Sequence, residues 1–382
     1  MLSGFTSPVD IANRAIQNVG GERITAFTDP GIPAEETKFA YNKLRMYEMR
    51  RNVWRFSVRR AVIRALDQST MVFTPNAYLA ATTYGQGQIV TDTDAFGLTR
   101  WYFSRVGANV GNTPTNFGQY WEDYIGSKYA YLYDSTQSYY PGEIVYEQPA
   151  VGTINGYLCV VQTDTTNDPA TTAPAAWDST IAYRVGAIVS EGGVNYISLI
   201  NENLNFDPAS TATAWSSTLL TGSYEWIKLD GTFAPMTLLY PLGSGPVSQT
   251  FNQNAFPLPY GYLRDAPQDP KAGSISILGA PTYAMANDWV PENEFIVTTE
   301  TEAIMLRFAA DVTDVTKYDP MFCEGLAARI GMTICEKVTA STEKINTNAK
   351  MYTGFMGEAR AVNSIEVGYD EPPMDDYIST RL

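Results

Sequence analysis

Three stretches decide how this chain is read: Tyr84-Gly-Gln-Gly87-Gln-Ile89-Val90, Tyr139-Tyr-Pro-Gly142-Glu-Ile144-Val145 and Tyr183-Arg-Val-Gly186-Ala-Ile188-Val189. They share the pattern Tyr-x-x-Gly-x-Ile-Val. Each is followed by a second tyrosine, at Tyr102, Tyr157 and Tyr196. A proline stands twelve residues beyond that tyrosine each time, at Pro114, Pro169 and Pro208. A tryptophan follows at nineteen or twenty, at Trp121, Trp177 and Trp215. Several matching offsets in three places indicate an internal repeat, which must be recognised before the fold is assigned. Within each copy, Tyr-x-x-Gly reads as a turn entering a strand. Ile-Val reads as its buried segment, and the second tyrosine lies on the next strand. Units this short have small cores, so the tyrosines and tryptophans are expected to anchor them.

Outward from the repeats, the flanks are helical. Ser7-Pro8-Val9-Asp10 combines a capping serine, a proline at the first helical position and an acid at the positive end of the dipole. Ile11, Ala12, Ala15, Ile16 and Val19 recur at helical spacing until Gly20-Gly21. Asp29-Pro30-Gly31 marks a turn, and one long helix is expected from Pro33 to Leu66. That helix carries Lys38, Lys43, Arg45, Arg50, Arg51, Arg55, Arg59, Arg60 and Arg64, so Arg50 to Arg64 are candidates for a subunit or partner interface. Beyond the repeats, Phe295–Thr299 and Ile304–Phe308 read as a hairpin turning at Glu300-Thr301-Glu302. Asp319-Pro320 starts a further helix with Phe322, Leu326, Ile330 and Ile334 on one face. Another helix is expected over 343–362. The chain ends in an acidic arm with Asp370, Glu371, Asp375 and Asp376, a composition that orders on a partner.

Composition narrows the function. The chain has no histidine, which excludes a Ser-His-Asp triad and every His-ligated metal site. A formal net charge of −15 argues against general nucleic-acid binding, which rests on clustered Lys and Arg. An acidic lumen could instead let DNA slide without adhering. The three cysteines Cys159, Cys323 and Cys335 form no disulfide framework and are expected to be buried thiols. No run approaches ~20 apolar residues, so no membrane insertion is expected. No carboxylate pair stands out for glycosidic chemistry, so neither an enzyme nor a cofactor is expected.

The flanking segments resemble the head-to-tail adaptors (tail tubular protein A) of short-tailed, T7-like phages. The resemblance is carried by Ile11-Ala-Asn-Arg-Ala-Ile-Gln-Asn-Val-Gly-Gly, by Trp54-Arg-Phe-Ser-Val-Arg-Arg-Ala61 and by Leu258-Pro-Tyr-Gly-Tyr-Leu263-Arg264. Leu306-Arg-Phe, Asp311-Val-Thr-Asp314, Tyr318-Asp-Pro-Met-Phe322 and Ala327-Ala-Arg329 extend it. It covers roughly residues 5–70 and 255–366. Tyr260 departs from the Asp common in that family, and the repeats are an insertion. The resemblance implies a virion protein made in the host cytoplasm. It would form a twelve-fold ring beneath the portal and above the tail nozzle, with tail fibres as a further candidate neighbour, sealing the head and continuing the DNA channel. The repeats resemble chitin-binding-type carbohydrate modules of families 5 and 12. That likeness makes Tyr84, Trp121, Tyr139, Trp177, Tyr183 and Trp215 candidates for stacking on a glycan as well as for core, and leaves a host-binding adhesin as the alternative function.

The expected fold is therefore α+β, an antiparallel helix bundle with a β-rich part and an inserted array of three small β-rich repeats. Its divisions are a helical part over 1–75, repeats over 76–125, 126–177 and 178–226, a β-rich core part over 227–318, helices over 319–366 and the acidic arm over 367–382.

Overall fold

A computed structural model describes residues 4–67, 69–115, 118–150, 152–163, 168–169, 176–183, 188–200, 202–218, 226–236, 254–266, 275–277 and 289–367. The acidic arm lies outside them. The chain is mixed α+β and divides into two units. One joins both ends, Met1–Val58 with Asp311–Leu382; the other is Arg59–Ala310.

In the first unit, α1 (Pro8–Val19) is closed at its start by a reciprocal pair. The Asp10 amide donates to Ser7 Oγ (3.3 Å) and the Ser7 amide to Asp10 Oδ2 (2.9 Å). Gly20 ends it in the left-handed conformation, and Lys344 Nζ donates to the Val19 carbonyl at the negative end of the dipole (2.7 Å). Helix α2 (Ile32–Arg51) stops well short of Leu66. Asn52 is extended, a 3-10 turn follows at Arg55–Ser57, and Val58–Ile63 is strand β1. The reason is Trp54, which is buried and donates its indole N–H to the Glu48 carbonyl (3.0 Å), folding the chain back. Val58, Val62 and Ile63 then favour a strand over a helix.

Helix α3 (Pro320–Val338) is capped by Asp319, which accepts from the amides of Met321 (2.8 Å) and Phe322 (3.2 Å). Helix α4 (Thr342–Val367) crosses it closely. A Cβ at Gly331 would lie 2.7 Å from Asn348 Oδ1, and one at Gly325 2.9 Å from Met356 Cγ. Both α1 and α2 also pack on α3. Cys323 and Cys335 are free, buried thiols of α3.

The second unit, which begins within β1 at Arg59, holds the strands. A six-stranded sheet has the order β12-β8-β7-β6-β2-β13, from β2 (Met71–Pro75), β6 (Tyr129–Leu132), β7 (Ile144–Ala150), β8 (Thr153–Cys159), β12 (Trp226–Leu229) and β13 (Gly231–Pro235). Its two edge strands are joined by the single residue Asp230, so the sheet must roll until its edges nearly meet. Gly156 and Gly231 permit the roll. A side chain at Gly156 would collide with the Phe233 ring, and one at Gly231 with Phe73 and the Thr74 carbonyl.

Strands β3 (Ile89–Thr93), β4 (Thr99–Ser104) and β5 (Trp121–Asp123) form one antiparallel meander. Strands β9 (Ile188–Glu191), β10 (Val194–Ser198) and β11 (Trp215–Thr218) form another. The remaining strands are β14 (Asn254–Pro257), β15 (Tyr262–Asp265), β16 (Ile275–Ile277), β17 (Trp289–Glu292), β18 (Phe295–Thr298) and β19 (Ile304–Ala310). The expected hairpin of Phe295–Thr299 with Ile304–Phe308 does not form. β18 pairs with β14 and β17, and β19 pairs with β15 and β16 in the sheet that contains β1. The tight turn is at Glu292-Asn293-Glu294 instead, where Asn293 adopts φ 55°, a conformation asparagine tolerates.

Candidate functional site

The strongest candidates from sequence are the repeated aromatic residues, and the same small set of contacts surrounds each. The motif tyrosine hydroxyl accepts from a backbone amide five residues earlier: Leu79 to Tyr84 (2.7 Å), Asp134 to Tyr139 (2.8 Å) and Asp178 to Tyr183 (2.8 Å). Its ring meets a tryptophan edge-on: Tyr84–Trp121 at 5.4 Å, Tyr139–Trp226 at 5.5 Å and Tyr183–Trp215 at 5.4 Å. The indoles of Trp121 and Trp215 donate to the carbonyls of Asn112 and Phe206, both at 2.7 Å. Ser104 and Ser198 donate to the carbonyls of Val106 and Ile200, and Cys159 Sγ donates likewise to Val161. Gly87 and Gly142 have φ 82° and 95°, which is why the motif requires glycine there.

This geometry corrects one assignment. Trp177 does not close the second meander. Trp226 does, on β12, which pairs with β8 from Trp226↔Cys159 to Leu229↔Gly156. Trp226, Tyr139, Val145, Tyr157 and Cys159 form one buried cluster. Trp177 belongs to the following meander. It packs with Tyr183, Val189, Tyr196, Ala214 and Trp215, and its amide donates to the Ser190 carbonyl (2.9 Å). Tyr78 and Tyr133 hold the same place, donating to Thr91 (2.8 Å) and Tyr146 (2.9 Å). The β9–β10–β11 meander is thus inserted inside β7–β8–β12, between its second and third strands. The boundary drawn at 177 cuts through this nesting.

Tyr84, Trp121, Tyr139 and Trp215 are no more than 7% exposed, each packed against another aromatic ring of its own meander. Trp177 and Tyr183 are half-buried. Burial pushes the Tyr139 hydroxyl up to about 12, the environment of a core residue. Among the exposed large apolar side chains, Phe206 is the aromatic carried by these meanders.

Two meanders also share a carboxyl pair that the sequence reading missed. Glu147 on β7 is pushed up to about 7 by burial and by its hydrogen bond with the carboxyl of Asp168. Glu191, at the equivalent place on β9, is raised by burial and by Asp207. Each aspartate immediately precedes one of the repeated prolines; in the first meander Asp92 and Thr113 stand there. The signal was therefore present as Glu three residues after the motif isoleucine together with Asp-Pro.

The arginines do not form one surface. Arg45 is buried in α2, with Nη1 2.6 Å from Asp311 Oδ1 and donating to the Val312 carbonyl (2.7 Å). Arg64 is likewise used within the chain, against expectation. Its Nε is 2.5 Å from Glu143 Oε1, Nη2 donates to the Ser138 carbonyl (2.6 Å), and the guanidinium lies 4.9 Å from the Tyr139 ring centroid. Burial pushes Glu143 up against the opposing pull of Arg64. Arg50, Arg51, Arg55 and Arg60 are exposed and Arg59 is half-buried. Arg50 and Arg51 end α2, Arg55 lies in the 3-10 turn, and Arg59 and Arg60 are on β1. Arg51 also donates to the Tyr352 hydroxyl (3.0 Å). Asp370, Glu371, Asp375 and Asp376 lie outside the described residues.

Among the described residues no group of acidic or cysteine side chains could hold a metal ion. No helix among them is long and apolar enough to cross a membrane. No protein-family model matches the chain, and no curated protein matches it.

Proposed function

We propose that this chain is a structural connector of a phage virion, a ring-forming adaptor between portal and tail nozzle that seals the head and continues the DNA channel. The observation that supports this reading is where the adaptor-like motifs fall. Trp54-Arg-Phe56 and Tyr318-Asp-Pro-Met-Phe322 are far apart in sequence yet build one aromatic cluster. Trp54–Phe322, Phe56–Phe322 and Phe56–Tyr318 all have centroids 5.1 Å apart. Asp311, from a third motif, is ion-paired with buried Arg45. These segments from the two ends of the chain thus lie in one compact unit, whereas the adaptor-like stretches 258–264 and 306–308 lie in the other.

In this reading the three meanders are copies of one β unit, the third grafted into the second, and they decorate the connector. The burial of their aromatic residues favours a structural role over an adhesin. The acidic net charge suits a passage for DNA. The test is to mix the full chain with the portal of the same virus and weigh the product by native mass spectrometry. A portal-bound ring, twelve copies by the resemblance, is expected. A chain that stays monomeric beside assembled portal contradicts the proposal.

A further inference from the structure

Helix α2 buries one side, through Ala34, Thr37, Tyr41, Arg45, Glu48 and Met49. On the opposite side Ile32 is 53% exposed, Phe39 74% and Tyr47 53%. At 100° per residue, Ile32, Glu36, Phe39, Lys43, Tyr47 and Arg50 share that side. Three large apolar side chains in line along one helix are unlike the scattered exposure that needs no explanation. The charge along this face is graded. Glu35 and Glu36 stand near its start, and Glu48, the remaining acid of the helix, is buried. Lys43, Arg50 and Arg51 are exposed toward its end, and exposed Arg55 follows. Lys43 Nζ lies 6.0 Å from the Phe39 ring centroid, so the later half of the face is aromatic and cationic together.

We propose that this face holds the chain's own acidic arm, residues 368–382, turned back in cis. The arm lies outside the described residues, but the place it leaves from is fixed. Near the end of α4, Asn363 accepts from the Arg55 amide (2.8 Å) and donates to the Val53 carbonyl (2.9 Å). Tyr352, eleven residues earlier, accepts from Arg51 (3.0 Å). The arm therefore starts beside the basic end of α2, within the same compact unit. Gly368 comes directly after α4, and glycine is the residue at which chains commonly turn away from a helix. Fifteen residues reach up to ~50 Å, whereas α2 is ~30 Å long, so the arm can run its whole length. The arm's charges come in the matching order. Asp370, Glu371, Asp375 and Asp376 are first and Arg381 is last. Antiparallel to α2, the acids meet Arg55, Arg51, Arg50 and Lys43, and Arg381 meets Glu35 and Glu36. Met374, Tyr377, Ile378 and Leu382 supply apolar groups for Tyr47, Phe39 and Ile32. A partner of either surface must first displace this contact. The inference does not rest on the connector reading.

The native cysteines are buried, so introduced ones report cleanly. The test is the rate at which full-length chain with Phe39→Cys and Ile378→Cys, at high dilution, closes a disulfide within the monomer. The control pairs Ile378→Cys with Gly354→Cys, on the exposed face of α4, where an added Cβ meets nothing within 4 Å. Phe39 and Gly354 each stand about 20 Å back from the end of their helix, so tethering alone serves both pairs alike. Docking is expected to close the Phe39 pair about tenfold or more faster than the control, through a higher effective concentration. Equal rates overturn the proposal, and so does a disulfide that forms between chains. Lys43→Glu with Arg50→Glu is expected to bring the Phe39 pair down to the control rate, and adding Asp375→Lys with Asp376→Lys to restore it. A rate unmoved by the first reversal, or not recovered by the second, also overturns it. An unchanged unfolding midpoint shows that each variant keeps the fold. Failure here leaves the connector reading standing, because assembly with portal is measured separately.

Discussion

Trp226 and Trp177 illustrate how one residue carries an assignment. Trp121 and Trp215 follow their strand tyrosines at nineteen, whereas Trp177 follows at twenty. That one-residue excess was the readable sign that Trp177 belonged elsewhere. It stands six residues before Tyr183, as Tyr78 and Tyr133 stand before Tyr84 and Tyr139. The true closing residue was illegible because a whole meander separates it from Tyr157. Trp226→Ala should cost about 3–5 kcal/mol, as full truncation of a core aromatic does. Trp177→Ala should cost less and act on the β9–β11 meander. Equal or reversed losses in denaturant unfolding would show the assignment to be wrong. Arg64→Met strands a buried carboxylate at Glu143 and should cost about 3–5 kcal/mol, whereas Arg64→Met with Glu143→Leu should recover most of it. A double variant no better than the single would show that the loss does not come from the broken ion pair. For Glu147, a folded pKa raised to about 7 means that the folded state holds the proton more tightly than the unfolded one. Its stabilisation is complete below the ordinary glutamate range and is lost as pH rises through about 7. Glu147→Gln should flatten that part of the stability–pH curve and leave the low-pH end little changed. An unchanged slope between about pH 5 and 8 would exclude the pair as its cause.

At the level of elements, boundaries set by local chemistry were legible and those set by tertiary packing were not. Ser7 with Asp10, Gly20 and Asp319-Pro320 are local signals, and α1 and α3 begin or end on them. The end of α2 has no proline or glycine to mark it. It is fixed by Trp54 turning back under Glu48, a contact visible only in three dimensions. The misplaced hairpin has the same origin. Phe295–Thr298 and Ile304–Ala310 are adjacent strands with a plausible turn between them, but their partners β14 and β15 lie earlier in the chain. Nesting makes an element-scale prediction. Excising Ala176–Thr218 and leaving the flanking residues as the linker should preserve the six-stranded sheet, because loop closure costs little more for a changed length. Removing 126–177 should unfold it, since β6, β7 and β8 go together. Protease resistance and near-ultraviolet circular dichroism of the two deletions distinguish these outcomes; equal loss in both would argue against the insertion of one meander within another.

Across the molecule, the two chain ends form one compact unit, but that unit stops at Val58 and resumes at Asp311, so most of the β-rich part expected over 227–318 belongs to the other unit. Ile11, Ile16, Trp54, Phe322 and Ile334 are all fully or almost fully buried in the unit that joins the chain's ends. Arg45 and Arg64, two cations of the basic stretch, are instead internal, each paired with a carboxylate of its own unit. The connector reading stands or falls on assembly with the portal. Electron microscopy of this chain bound to the portal of its virus tests it most directly. A connector is expected to appear as a closed ring coaxial with the portal, built from the unit that joins the two chain ends. Discrete monomers on the grid beside bare portal rings would contradict it.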